Sequence, residues 1–192
     1  DKIKVNTKYY SSALLDASGT NAVSVNVYSA NGLYDPDITG IGHQPRGWDE
    51  MIVLYDHAVV INCAIRTDFA VQISDTEASV PSIVGMCVLD SPTIKTANDY
   101  MEARDTTYGM INVDSNGVKR LTLNINPNKF LGRSKPLADP DLKNSVGSNP
   151  TEQCYVHVFT FSPSGEDPKR VIASTKLEYT SIYVEPKNPI QS

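Results

Sequence analysis

Residues 34–51, YDPDITGIGHQPRGWDEM, bring together three Asp, one His, one Arg and the only Trp of the chain. The run Asp35-Pro36-Asp37-Ile38-Thr39 has the DxDxT spacing of aspartyl phosphotransferases, in which the first Asp attacks phosphorus and the second moves the proton. That reaction needs the motif at the end of a buried parallel strand. The lead-in here, Ser29-Ala30-Asn31-Gly32-Leu33-Tyr34, reads instead as a turn. Asp35, Asp37, Asp49 and Glu50 are hard oxygen ligands suited to calcium; the simpler role for Asp35 and Asp37 is to fold the loop around Pro36 through Asx turns. His43, His57 and His157 lack the HxH pairing of a jelly-roll metal site, so each is expected to be a satisfied structural group. No local Ser-His-Asp or Cys-His spacing suggests a nucleophile. The expectation is a chain without catalytic residue, metal or cofactor.

The cysteines fit that expectation. Cys63 and Cys87 lie in the apolar strings INCAI and VGMCV, where a free thiol acts as a small core residue. With Cys154 they make an odd set, and no CxxC suggests structural zinc. The nearest glycosylation pattern, Asn149-Pro150-Thr151, is excluded by its Pro. These features favour folding in a reducing, intracellular compartment.

A net charge of −5 argues against a general nucleic-acid-binding surface. The cations are uneven, however. Lys2, Lys4 and Lys8 are an even number of residues apart, so an extended strand puts them on one face.

The elements that must position these groups are mainly strands. Alternation or apolar continuity marks strands near 3–10, 22–28, 58–71, 80–89, 108–113, 118–125, 155–162 and 171–184. Residues 80–89 are almost continuously apolar, as in a strand covered on both faces. Asp114-Ser115-Asn116-Gly117 predicts a hairpin between its flanking strands, because Asn-Gly accepts positive φ. Two helices are expected: 48–57, with Trp48, Met51, Ile52 and Tyr55 on one side, and 93–103, after the start signal Ser91-Pro92. Residues 127–152 read as one long loop within a single domain over 1–192. No apolar run reaches the roughly 18–20 residues of a membrane helix. Eight mainly antiparallel strands with helices only in connections predict an all-β jelly-roll sandwich. An immunoglobulin-like sandwich fits less well, because connections are long and the Cys…Trp…Cys order is missing.

The stretch YDPDITGIGHQPRGWDEM followed by LYDHAVV resembles a segment in the capsid proteins of circular Rep-encoding single-stranded DNA viruses, the circovirus-like group. There a Y-D-P-D-x-T-G-x-G-H-Q-P-x-G-[FW]-D-x-[ML] run leads into a short helix and a strand. The match covers Tyr34 to about Val60. The resemblance implies a jelly-roll subunit with four-stranded sheets BIDG and CHEF, self-assembling into an icosahedral shell of about sixty copies around viral single-stranded DNA. It implies virions assembled inside the host cell, with the nucleus as one location, and no membrane.

On this template the polar loop joins strands C and D beside a neighbouring subunit. Tyr34 and Trp48 are then interface anchors, Arg46 pairs with a partner carboxylate, and His43 and Gln44 supply directed hydrogen bonds alongside Asp35 and Asp37. Such families carry an Arg/Lys-rich arm upstream, which this chain, opening at Asp1, does not show. Lys2, Lys4 and Lys8 would lie where the arm enters the shell and contact DNA from the lumenal side. The host receptor is not encoded legibly; turn-rich residues 114–117, 127–152 and 163–169 are exposed candidates for meeting it. The competing class is a secreted or intracellular jelly-roll binding module, lectin-like or a trimeric ligand, that forms no shell.

Overall fold

Alternation with period two decides the first sheet. In β1 (Lys2–Leu15), Thr7, Tyr9 and Leu15 are buried while Lys2, Lys4, Asn6, Lys8, Tyr10 and Ser12 face solvent. In β8 (Val171–Pro186) the odd-numbered residues Val171 through Tyr183 are buried and the even-numbered ones between them are not. The two strands pair antiparallel without a break from Lys2↔Val184 to Leu15↔Val171. Each large inward side chain such as Leu177 or Tyr179 contributes about 1.5–3 kcal/mol by leaving water.

The structure, a computed structural model, describes residues 2–18, 22–39, 42–72, 80–112 and 118–188. The other strands are β2 (Ser24–Ser29), β3 (Tyr55–Val71), β4 (Ser82–Leu89), β5 (Thr106–Ile111), β6 (Lys119–Ile125) and β7 (Tyr155–Phe161). One sheet has the order β1-β8-β3-β6 and the other β2-β7-β4-β5, and every ladder is antiparallel. With β1 to β8 lettered B to I, these are the BIDG and CHEF sheets of a jelly roll, as expected. One bulge interrupts β3, between Val60 and Asn62.

The main core lies between the sheets, built on Tyr28, Trp48, Ile65, Phe69, Met86, Val158, Leu177 and Tyr179. A second cluster of Cys87, Tyr100, Phe159 and Phe161 sits on the outward side of the CHEF sheet. There α2 (Ala97–Glu102) lays Tyr100 flat on Phe159, ring centroids 4.6 Å apart. This second cover accounts for the continuous apolar run of β4. Gly85 is required beneath it, since a Cβ there would overlap the Phe159 ring.

Several local expectations are corrected. The helix expected over 48–57 is only α1 (Trp48–Ile52). Strand pairing claims the rest, with Tyr55 opposite Pro186 and His57 opposite Val184. Helix α2 begins at Ala97 rather than near 93, because Thr96 and Asp99 form a reciprocal capping box. The Ser91 hydroxyl instead accepts from the Thr93 amide in a turn (3.2 Å). Residues 127–152 are not one loop but hold α3 (Pro127–Phe130), capped by Asn126, and 3₁₀ turns at Pro136–Ala138 and Pro140–Leu142.

The strands flanking 114–117 do not form a hairpin, although the turn itself lies outside the described residues. β5 pairs with β4 and β6 pairs with β3, in opposite sheets. Asn-Gly permits a reversal, but the ladder partner is chosen by where Leu121 and Ile125 can be buried.

Candidate functional site

After β2 the chain turns back on its own sheet. The Ser29 amide donates to the Pro36 carbonyl (2.8 Å), the Ile38 amide to the Val27 carbonyl (2.9 Å), and Tyr28 bridges Asp37. Two distant Asn side chains hold the turn from below. Asn149 Oδ1 accepts from the Tyr34 and Asp35 amides (both 3.0 Å), and its Nδ2 donates to the Asp35 carbonyl (2.8 Å). Asn144 Oδ1 accepts from the Leu33 amide (2.8 Å), and its Nδ2 donates to the Asn31 carbonyl (2.9 Å). The sequence alone does not flag Asn144 or Asn149, because their partners lie more than a hundred residues away.

Asp37, only 5% exposed, ties three segments together. Its carboxylate accepts from Ser11 of β1 (3.2 Å), Asn26 of β2 (3.1 Å) and the Thr39 hydroxyl (3.3 Å). Its oxygens therefore have partners within the subunit, and it is a support rather than a contact residue. Asp35 is exposed; partial burial and the neighbouring Asp37 push its carboxyl above the usual range. Neither Asp sits at the end of a parallel strand, so the geometry of an aspartyl phosphotransferase is not formed. Among the described residues no three His, Cys, Asp or Glu side chains converge as metal ligands would.

Beyond the turn, the exposed His43 stacks on the buried Tyr9 ring, 4.7 Å between centroids. Burial, and secondarily Asp37, push the Tyr9 hydroxyl up to about 12. The Gln44 amide, with its nitrogen toward α1, donates to both Asp49 carboxylate oxygens (2.6 and 2.7 Å). The Arg46 backbone pairs with Lys8, extending the edge of β1, while its side chain projects into solvent. Gly47 has φ +88°, a conformation open to Gly at the start of α1.

Trp48 requires the clearest correction. It is 1% exposed and packs inside its own subunit against Tyr183, centroids 6.2 Å apart. A ring already removed from water has no surface left for a neighbour. Of the seven loop residues expected at an interface, Tyr34, Asp35, His43 and Arg46 are exposed, Gln44 is half-buried, and Asp37 and Trp48 are interior. Lys2, Lys4 and Lys8 are all exposed on the outward face of the BIDG sheet. The Lys8–Arg46 bridge joins that face to the loop.

The other histidines do not join them. His157 is fully buried, with Nε2 2.8 Å from the Ser91 carbonyl and Nδ1 2.8 Å from the Tyr100 hydroxyl. A carbonyl only accepts, so Nε2 carries the proton and Nδ1 accepts from Tyr100. Burial, the leading cause, pushes its pKa below the ordinary value. His57 sits in β3 with Nε2 3.5 Å from Glu185. All three cysteines are buried and free, Cys63 and Cys87 as their apolar surroundings suggest.

No family model matches the chain, and no curated protein matches its sequence. Solved structures do match in shape. The subunit of a semi-empty virus-like particle of the giant freshwater prawn Macrobrachium rosenbergii nodavirus aligns with 99% of this chain and 97% of its own, at 11% identity and a TM-score of 0.51. The decameric BFDV capsid protein aligns with 96% of this chain and 100% of its own, at 9% identity and a TM-score of 0.51. Likeness at such low identity speaks to the fold: this is the jelly roll that these viral capsid proteins share.

Proposed function

We propose that this chain is a viral capsid protein that self-assembles into an icosahedral shell enclosing a circular single-stranded DNA genome. The observation that carries the reading is the loop at 34–51. Its wording resembles the circovirus-like capsid segment, and its described residues on both sides of 40–41 are braced before any partner arrives. Asn144, Asn149 and Asp37 fix its backbone, and Trp48 anchors its end. A contact surface repeated in every copy of a closed shell has to hold one shape, and this bracing supplies it. Tyr34, Asp35, His43 and Arg46 are the side chains it offers to a neighbour. Lys2, Lys4 and Lys8 would face the lumen, assisted by an upstream basic arm, since phosphate neutralisation dominates non-specific DNA binding.

The test is negative-stain imaging with light scattering, on residues 1–192 and on a version carrying an Arg/Lys-rich arm. Uniform closed shells support the reading; monomers in both preparations overturn it. Arg46→Glu should abolish shells while leaving the circular-dichroism spectrum unchanged. The single Trp gives a second check, because Trp48 is buried before assembly and its emission maximum should not shift when shells form.

A further inference from the structure

The register of the BIDG sheet brings together cations that are far apart in the sequence. Lys8 lies opposite Glu178, which lies opposite Ala64, which lies opposite Asn124. One step along the strands the row reads Tyr10, Lys176, Arg66 and Thr122; the next reads Ser12, Ser174, Asp68 and Arg120. All these side chains point away from the sandwich. Lys8, Lys176, Arg66 and Arg120 therefore form a diagonal across all four strands, with Lys2 and Lys4 prolonging it along β1. With strands about 4.8 Å apart and about 3.4 Å per residue, the diagonal spans about 20 Å. It stands on a chain whose net charge is −5.

Only two carboxylates interrupt these rows. Asp68 holds Arg120 at 2.6 Å and Arg66 at 3.3 Å, and Glu178 pairs with Lys176. Lys176 first, through a hydrogen bond, then Lys8 and Arg66, hold the Glu178 carboxyl below its usual range, and the rows carry four cations against these two carboxylates. A groove of 540 Å³ runs beside the diagonal, lined by Arg66, Thr122, Asn124, Lys176 and Glu178 among others. Tyr10, 57% exposed, stands beside Lys176.

We infer that this face binds single-stranded nucleic acid, with its phosphates along the Lys8–Lys176–Arg66–Arg120 diagonal and a base stacked on Tyr10. The combination of spaced cations, hydrogen-bonding Thr122 and Asn124, and an exposed ring suits a polymer of phosphates and flat bases. The exposed aliphatic side chains of this face, Leu14 and Ile172, form the row beyond Ser12 and Ser174, away from Lys8, Lys176 and Arg66. The proposed function supplies the source of the strand, but the binding itself does not depend on shell formation.

The test is fluorescence anisotropy of a labelled oligo-dT, about 20 nucleotides long, against the chain over a salt series. The double variant Arg66→Gln/Lys176→Gln should flatten the slope of log K against log salt by about 1.4, at about 0.7 per lost contact. Tyr10→Ser should weaken binding about fivefold with the slope unchanged, which electrostatics alone would not produce. Arg104→Gln, on an exposed residue outside these rows, should change neither. Binding equal to a duplex of the same length, equal losses in the Arg104→Gln control, or preference for anionic vesicles would each overturn the inference. Shells that form without oligonucleotide binding defeat this inference and leave the capsid reading standing. Binding by a chain that stays monomeric does the reverse.

Discussion

On the BIDG sheet the side chains pointing away from the sandwich include Lys8, Lys176, Arg66 and Arg120, all in contact with water. On the CHEF sheet comparable outward positions hold Cys87, Phe159 and Phe161, and α2 covers them through Tyr100. One outward face is finished within the subunit, and the other is left to solvent, charged across its middle and aliphatic at Leu14 and Ile172. The difference shows in the sequence as apolar–polar alternation along much of β1 and β8 against nearly unbroken apolar runs in β4 and β7. A sheet covered on both faces depends on close packing, whereas a solvated face can change its charges with little effect on folding.

The largest effect that would sharpen this contrast is on the covered side. Tyr100→Ala should destabilise the fold by about 4 kcal/mol, through lost aromatic packing and an unpaired His157 Nδ1, read as a lower urea midpoint. Gly85→Ala should follow at about 1–3 kcal/mol, because the new methyl must displace the Phe159 ring. The covered face should also be sensitive to acid. His157 is held neutral by burial, so its folded pKa lies below the unfolded 6.5. As pH falls below that value the unfolded chain takes up a proton that the native chain does not, and stability falls. Urea midpoints compared at pH 7.5 and 5 should show this loss, and His157→Gln should flatten the dependence. On the solvated face, Lys176→Ala should change stability by no more than about 0.5 kcal/mol. A large loss there would break the comparison.

The strand set and the two-sheet architecture were legible because period-two alternation is written locally into β1 and β8. Helix ends were less so. Tyr55 satisfies the helical spacing from Trp48 and equally well begins β3, and only pairing with β8 decides between them. The turn at 114–117 encodes a reversal but not the sheet its flanks will join. Trp48 and Asp37 were misplaced for a different reason, because Trp and Asp side chains that support a rigid loop look in sequence like ones that contact a partner. The Lys8–Arg120 diagonal had no local signal. Its members come from four strands, and only their register assembles them.

The uninterrupted pairing of β1 with β8 also sets an order of events during synthesis. β1 emerges from the ribosome first, but the first residue of its partner, Val171, is made more than 150 residues later. At about 5–20 residues per second, β1 waits on the order of ten seconds or more without its ladder. An unpaired strand is a template for pairing with the wrong chain. Lys2, Lys4 and Lys8 repel such pairing while β1 waits, so the charges on its outward side act as gatekeepers of the nascent chain before they have any other role.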